Sequence, residues 1–291
     1  MNIIRKTLRK PIGMIGFILI CLFLIVALFA PVIAPIPPEI VNYGQSFSIP
    51  NRMLQDGFSP IPVAPSSEHI FGLAQDGYDI FFGVVWGTRG AFLVGILVTG
   101  ISMLVGLIVG TLAGYFGGWL DMILMRFTDI VFAFPSLVLL IVIVVLLGRD
   151  LVNIMLAIAL VNWGQYARIV RSEVLKVRSL EYVDAARALG AIDQRIIFKH
   201  VLPNSITSLL VLVSLDIGTV VVTAAALSFL GIGAPAGFPD WGQLINMSRA
   251  WLSQPQYWFT WLYPGLAIVL FVVAWNMFGD ALRDAADPRS K

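Results

Sequence analysis

RSEVLKVRSLEYVDAARALGAIDQRIIFKHVLP, residues 171–203, is a basic polar island between two long apolar runs. Its flanks are hydrophobic enough to cross a bilayer, so a charged segment of this length marks a loop that leaves the membrane. Within it Ser179 stands as a helix N-cap with Glu181 in the first turn, and Glu181 to Leu189 reads as an alanine-rich helix. Gly190 ends that helix, because a glycine just past the last turn adopts the left-handed conformation without a Cβ clash. A second short helix starts at Asp193 as N-cap and runs through Ile196, Ile197 and Phe198 until Pro203 breaks it. Ala185, Ala186 and Ala188 keep the first helix slim enough to enter a groove, with Asp184, Arg187, Arg195 and Lys199 available for polar contacts around its rim. A solvated loop without a partner is the plainer reading of the same residues.

Composition sets the class around this island. Hydrophobic residues make up 58% of the 291-residue chain and charged residues 12%, against about 25% charged in soluble domains. The chain is therefore an all-α, polytopic membrane protein in contact with lipid. A bilayer core of roughly 30 Å needs about 20 apolar helical residues, and long stretches with few charges supply six spans, near 12–34, 91–116, 125–147, 151–170, 204–229 and 260–280. The third and fourth are separated by the Gly148-Arg149-Asp150 turn and form an antiparallel pair. Trp251, Trp258 and Trp261 before the last span suit the membrane interface. The net charge of +2 gives no reason to expect nucleic acid, and Cys21, inside an apolar run, is a small hydrophobe.

Lysines and arginines give the orientation. Arg5, Lys6, Arg9 and Lys10 precede the first span, whereas the segment 36–88 carries five acids and only Arg52. The positive-inside rule places the N-terminus in the cytoplasm; six crossings return the tail, with Arg283, Arg289 and Lys291, and the island to the same side. The first span reads as an uncleaved anchor, since its apolar run exceeds a signal-peptide core and lacks a small-residue cleavage site. Pro35, Pro37, Pro38, Pro50, Pro60, Pro62 and Pro65 make the outer segment irregular. It is a tether, or a docking surface or lid; the sequence leaves both open.

Gly106, Gly110, Gly114 and Gly118 recur every fourth residue, one helical stripe that lets a neighbouring backbone approach. His69 and His200 fall on opposite sides of the membrane and share no metal; His200 caps carbonyls or touches a partner. Asp216 lies near the middle of the fifth span, where an ionisable group is costly. It either lines a translocation path and meets a cation such as a peptide amino terminus, or is a carboxylic acid bonded to a neighbouring helix.

The string EYVDAARALGAIDQRIIFKHVLPN, residues 181–204, resembles the EAA loop of ABC-importer permeases. The stretches RKPIGMIGFILI, HIFGLAQDGYDIFFGVVWGTRGAFLVG, GYFGGWLDMILMRFTDIVFAFP, ALSFLGIG and GLAIVLFVVAWNMFGDALRDAADPR are similar to the C-type permeases of dipeptide, oligopeptide and nickel importers. The resemblance implies a type I importer permease fold with six transmembrane helices. It divides the chain into a cytoplasmic N-terminus and first helix (1–35), an extracytoplasmic loop (36–88), a permease core (89–283) and a cytoplasmic tail (284–291). It implies that the loop at 179–202 docks in a cleft of an ATPase subunit through Glu181, Asp184, Ala185, Ala186, Arg187 and Gly190, with the family's acidic place filled by Asp184 or moved to Glu181. It further implies two cytoplasmic ATPases that hold ATP and Mg, a homologous permease as heterodimer partner, an external substrate-binding protein, and import of small peptides across the cytoplasmic membrane. Nickel chelates and oligosaccharides are alternative cargoes. His69-Ile70-Phe71-Gly72-Leu73-Ala74 and Gly77-Tyr78-Asp79 depart from the family's histidine-proline-phenylalanine-glycine-threonine-aspartate and glycine-arginine-aspartate runs, which bears on contacts at the outer face.

Enzyme signatures are missing from the sequence. There is no G-x-x-x-x-G-K-[ST] loop, no H-E-x-x-H and no G-x-S-x-G, so the chain is expected to hold no cofactor and no metal and to catalyse nothing itself. An ion-driven secondary transporter, which calls for several intramembrane acids or broken helices, and a non-transporting scaffold are the competing classes.

Overall fold

A computed structural model describes residues 3–36, 49–50, 52–235 and 237–286; Pro37, Pro38, Glu39, Arg289 and Lys291 of the sequence argument lie outside them. Among the described residues the fold is helical, with only isolated bridges such as Val63 with Leu73. A short helix α1 (Ile3–Leu8) turns into α2 (Pro11–Ile33). After an irregular segment come α3 (Ile80–Phe116), α4 (Gly118–Phe132), α5 (Ser136–Leu147) and α6 (Leu151–Arg178). The polar loop forms α7 (Glu181–Ala188) and α8 (Asp193–Ile196), then a π-helical turn, Ile197–Val201, that runs directly into α9 (Leu202–Phe229). A short α10 (Trp241–Met247) precedes α11 (Phe259–Ala286).

Length and apolar composition qualify α2, α3, α9 and α11 as membrane spans, and α4 with α5 as a fifth that is bent by 87°. The sequence expects a continuous helix over 125–147. Pro135 interrupts it, since proline lacks an N–H and disfavours helical geometry at the residue before it. The expected fourth span is α6, which extends to Arg178 and is too polar to count by composition. Ile154, Ile158, Tyr166 and Val170 are buried on one side, and Gln165 and Arg168 share the exposed side with apolar residues such as Leu156 and Leu160. The turn at 148–150 joins α5 to α6 as expected: Asp150 accepts from the Val152 N–H at 3.2 Å and Asn153 Nδ2 donates to the Leu147 carbonyl at 2.8 Å.

The glycine stripe forms the seam between α3 and α6. A Cβ on Gly110 would lie 2.6 Å from Val170 Cβ, and one on Gly114 would lie 2.9 Å from the Arg171 carbonyl oxygen. Gly118 is off the seam; it opens α4 at positive φ with free space around it. Two ion pairs fasten the far end of α6 to α4. Arg171 grips both oxygens of Asp121, the Nη2 contact being 2.7 Å, and Arg168 meets Asp129 at 2.7 Å while lying 4.4 Å over the Phe132 ring.

The sequence places a span from near residue 91 after a loop running to 88, whereas the helix α3 begins at Ile80 and carries Arg89 inside it. The reason sits in α2. Pro31 has no N–H, so the carbonyl of Ala27, one turn earlier, loses its helical donor. Arg89 Nε donates to that carbonyl and Nη2 to the Leu28 carbonyl at 3.1 Å, while Trp86 Nε1 bonds the Ala34 carbonyl at 2.8 Å. The same device recurs in α11, where Pro264 frees the Thr260 carbonyl and the buried Ser248 hydroxyl points to it at 3.4 Å. Arg89→Met is expected to loosen α2 and lower thermal stability in detergent by about 1.5–3 kcal/mol, the worth of hydrogen bonds to a charged group. Adding Pro31→Ala, which restores a donor to Ala27, is expected to recover part of the loss.

The irregular segment at the N-terminal end of α3 is ordered by its own polar contacts. His69 Nδ1 faces Asp79 and Nε2 faces Asp56, each at 3.0 Å. Partial burial pulls the His69 pKa down, but the two carboxylates outweigh it and the net shift is upward. Asp79 also caps α3 by accepting from the Phe82 N–H at 2.8 Å. At this end Trp251 Nε1 bonds Gln75 Oε1 at 3.2 Å, whereas Trp258 and Trp261 stay exposed, as an interfacial belt requires.

Candidate functional site

The polar loop sits at the opposite end of α3 from that cap. Its first helix ends in a Schellman turn: Gly190 adopts φ 82°, its N–H donates to the Arg187 carbonyl at 2.9 Å, and the Ala191 N–H reaches the Ala186 carbonyl at 3.1 Å. The expected helix, glycine turn and helix are all present. The expected caps are not. Leu180 occupies the N-cap position of α7, because Ser179 still closes α6 and its hydroxyl donates back to the Lys176 carbonyl at 2.9 Å. Ile192 precedes α8, and Asp193 turns its carboxylate to Tyr115 Oη, which donates at 2.6 Å. Nor does Pro203 end a helix: it falls in the first turn of α9, where an N–H has no partner to lose.

Two side chains root the loop in the bundle. Val183 on α7 and Ile196 on α8 are fully buried, packing with Tyr115, Val174, Val177 and Val201. Ala191 and Ile197 pack against the same cluster, Asp193 bonds Tyr115, and most of the remaining side chains point outward. Glu181, Asp184, Ala185, Arg187 and Gly190 are exposed and Ala186 is half-buried, so the structure brings the sequence-derived residues to one free surface. Asp184 pairs with Arg187 at 3.1 Å. Around them Leu189 is 89% exposed, Phe198 70% and Ile192 65%. Large apolar side chains this open, on a segment outside the apolar spans, make this surface a candidate for contact with another molecule. The sequence reading gave Leu189, Ile192 and Phe198 no contact role; the signal available was that short helices in a polar loop have no core to receive large apolar side chains.

His200 lies in the π-helical turn, its carbonyl accepting from Asn204 Nδ2 at 2.6 Å and its ring 5.8 Å from that of Tyr182. It is remote from His69.

Asp216 is only 9% exposed and accepts a hydrogen bond from Tyr166 Oη at 2.7 Å. Tyr166 is fully buried, so this pair ties α9 to α6. No sequence signal could have matched residues 50 positions apart. Asp216→Asn, which keeps an oxygen acceptor, is expected to leave folded yield unchanged, whereas Asp216→Leu strands the buried hydroxyl at a cost of about 1–3 kcal/mol. Melting curves of the two variants in detergent check this.

Residues 106–291 match the family model of the binding-protein-dependent transport system inner membrane component, and residues 2–54 match that of the N-terminal transmembrane domain of oligopeptide transport permease C. The chain is 41% identical over 287 residues to a dipeptide transport system permease protein of Alkalihalophilus pseudofirmus, covering 98% of this chain and 89% of that protein. It is 36% identical to a glutathione transport system permease protein of Pectobacterium atrosepticum, covering 99% of this chain and 90% of that one. Among solved structures, the crystal structure of an amino acid ABC transporter with histidines overlays at a TM-score of 0.51 with 17% identity, over 69% of this chain and 91% of that chain; the likeness is one of fold.

Proposed function

Because the chain belongs to the family of binding-protein-dependent transport system inner membrane components, we propose that it forms part of the pathway by which small peptides are imported at the expense of ATP hydrolysed on other subunits. The protein is a multi-pass inner-membrane permease with the type I importer fold. Relatives named for dipeptide and glutathione transport support a peptide cargo over nickel chelates or oligosaccharides.

The observation that carries the mechanism is the finger at 179–202. Val183 and Ile196 fix it to the bundle, while Leu189, Ile192 and Phe198 are left open beside Glu181, Asp184, Ala185, Ala186, Arg187 and Gly190. A surface with an apolar centre and a charged rim is what a groove on a soluble ATPase would take. In this reading two ATPases, carrying ATP and Mg, close on nucleotide, pull the finger, and rock this bundle and that of a homologous permease between inward-open and outward-open states. The N-terminus, the finger and the tail 284–291 face the cytoplasm, and the segment 36–88 faces outward to a substrate-binding protein. Asp216 serves as a tie between α6 and α9. An ion-driven transporter would draw on the broken span at Pro135 and on buried acids, but Asp121 and Asp129 on α4 are paired with Arg171 and Arg168, and Asp216 on α9 is bonded to Tyr166.

The test is uptake of a radiolabelled dipeptide into vesicles holding the complete transporter and loaded binding protein. Uptake is expected to require ATP and to be competed by unlabelled peptide. Uptake that persists without ATP overturns the reading, and competition by a nickel chelate alone moves the cargo.

A further inference from the structure

We propose that α3 is the strut that carries finger movement across the membrane, with Tyr115 as the positioning residue that ties it to the finger. This rests on the reading of the loop as the ATPase contact. The finger has three exits into the bundle. Two are covalent: one leads back through the extended residue Leu180 (φ −84°, ψ 140°) to α6, and the other runs through Ile197–Val201 into α9 by way of a π-helical turn, a single-turn break in the α-helical ladder. The third is the contact with α3.

That third exit is held at both ends and along one side. Tyr115, one residue from the end of α3, is 4% exposed and donates to the Asp193 carboxylate at 2.6 Å. Arg187 of α7 reaches the same hydroxyl, and the Arg178 guanidinium lies 5.9 Å from the Tyr115 ring centre. One tyrosine thus meets α6, α7 and α8 together. Behind it α3 runs for 37 residues without a proline, about 55 Å at 1.5 Å per residue. Its side is locked to α6 along Gly106, Gly110 and Gly114. Its far end is held in the opposite cap, where Asp79 closes the helix, His69 grips Asp79, and the Asp79 N–H bonds the Leu54 carbonyl at 2.9 Å. A displacement of Asp193 is therefore delivered to the segment 52–79 along one continuous helix, whereas the covalent routes pass the π turn or the bend at Leu180.

The experiment measures, per assembled transporter in vesicles, basal ATP hydrolysis and its stimulation by peptide-loaded binding protein, for Tyr115→Phe, Asp193→Ala and the double variant. Tyr115→Phe removes one charge-assisted hydrogen bond and is expected to leave basal hydrolysis unchanged. It should cut stimulation on the order of tenfold, from the strength of such a bond and the free energy of a decade. The double variant is expected to be no worse than either single one, and Asp193→Asn, which retains an acceptor oxygen, to regain most of the stimulation. Full stimulation in Tyr115→Phe, or losses that add in the double variant, overturns the strut. Failure of the wild-type chain to assemble with an ATPase at all is a different result; it removes the functional reading itself.

Discussion

Gly106→Ala leaves almost no folded protein. A Cβ at this position would overlap Tyr166 Cβ and stand 2.8 Å from the Ala167 nitrogen and 2.9 Å from the Trp163 carbonyl oxygen. Two of those atoms are backbone, so no rotamer change makes room and α3 must move away from α6. These helices form the most extensive pair in the bundle. Their separation also strips packing from Gly110 and Gly114 further along the seam. Inserting a methyl into a close-packed interface costs about 1–3 kcal/mol, sometimes more, and in lipid no gain in water exclusion offsets it, because van der Waals contact is itself the main attraction between helices. The monodisperse fraction on size-exclusion chromatography in mild detergent should fall at least about tenfold. Gly100→Ala is the control on the same helix: nothing lies within 4 Å of its Cβ, and the chromatogram should be unchanged. Equal yields for the two variants would refute the seam.

The second large effect is on coupling with the fold left intact. Gly190 sits at φ 82°, donates its N–H to the Arg187 carbonyl, and has open space around its Cβ. Gly190→Pro fixes φ near −65° and removes the donor, so the Schellman turn cannot form and α8 leaves its place relative to α7. Membrane insertion and yield should be unaffected, since the residue is exposed and touches no span. ATP-driven uptake should be lost, together with co-purification of the ATPase. Gly190→Ala pays only the left-handed penalty of about 1–2 kcal/mol and should retain partial uptake; Gly190→Asn, a tolerated left-handed residue, should retain more. Full coupled uptake in Gly190→Pro would remove the finger from the mechanism.

The elements read correctly from the sequence share one property: their cause is local. Spans follow from runs of apolar residues, and the turn at 148–150 and the break at Gly190 follow from single residues whose backbone preferences hold in any context. The glycine spacing of α3 predicted a close neighbour for the same reason. What went astray depended on a distant partner. The helix expected from near residue 91 begins at Ile80, and its Arg89 answers the Ala27 carbonyl, 62 residues earlier, that Pro31 leaves without a donor. Ser179 and Asp193 looked like caps until α6 claimed one and Tyr115 the other. Pro135 was visible, but whether a proline kinks a span or ends it depends on what packs around the bend.

The sequence by itself thus determined a helical membrane protein with a hinged polar finger, because hydrophobicity and helix punctuation are written residue by residue. Only the tertiary structure decided where each buried polar group finds its partner: Arg89 on α2, Tyr166 on Asp216, Tyr115 on Asp193. In a bilayer no water can satisfy Arg89 or the Tyr166–Asp216 pair, so their pairing is fixed by how the helices cross, and that geometry is a property of the whole chain.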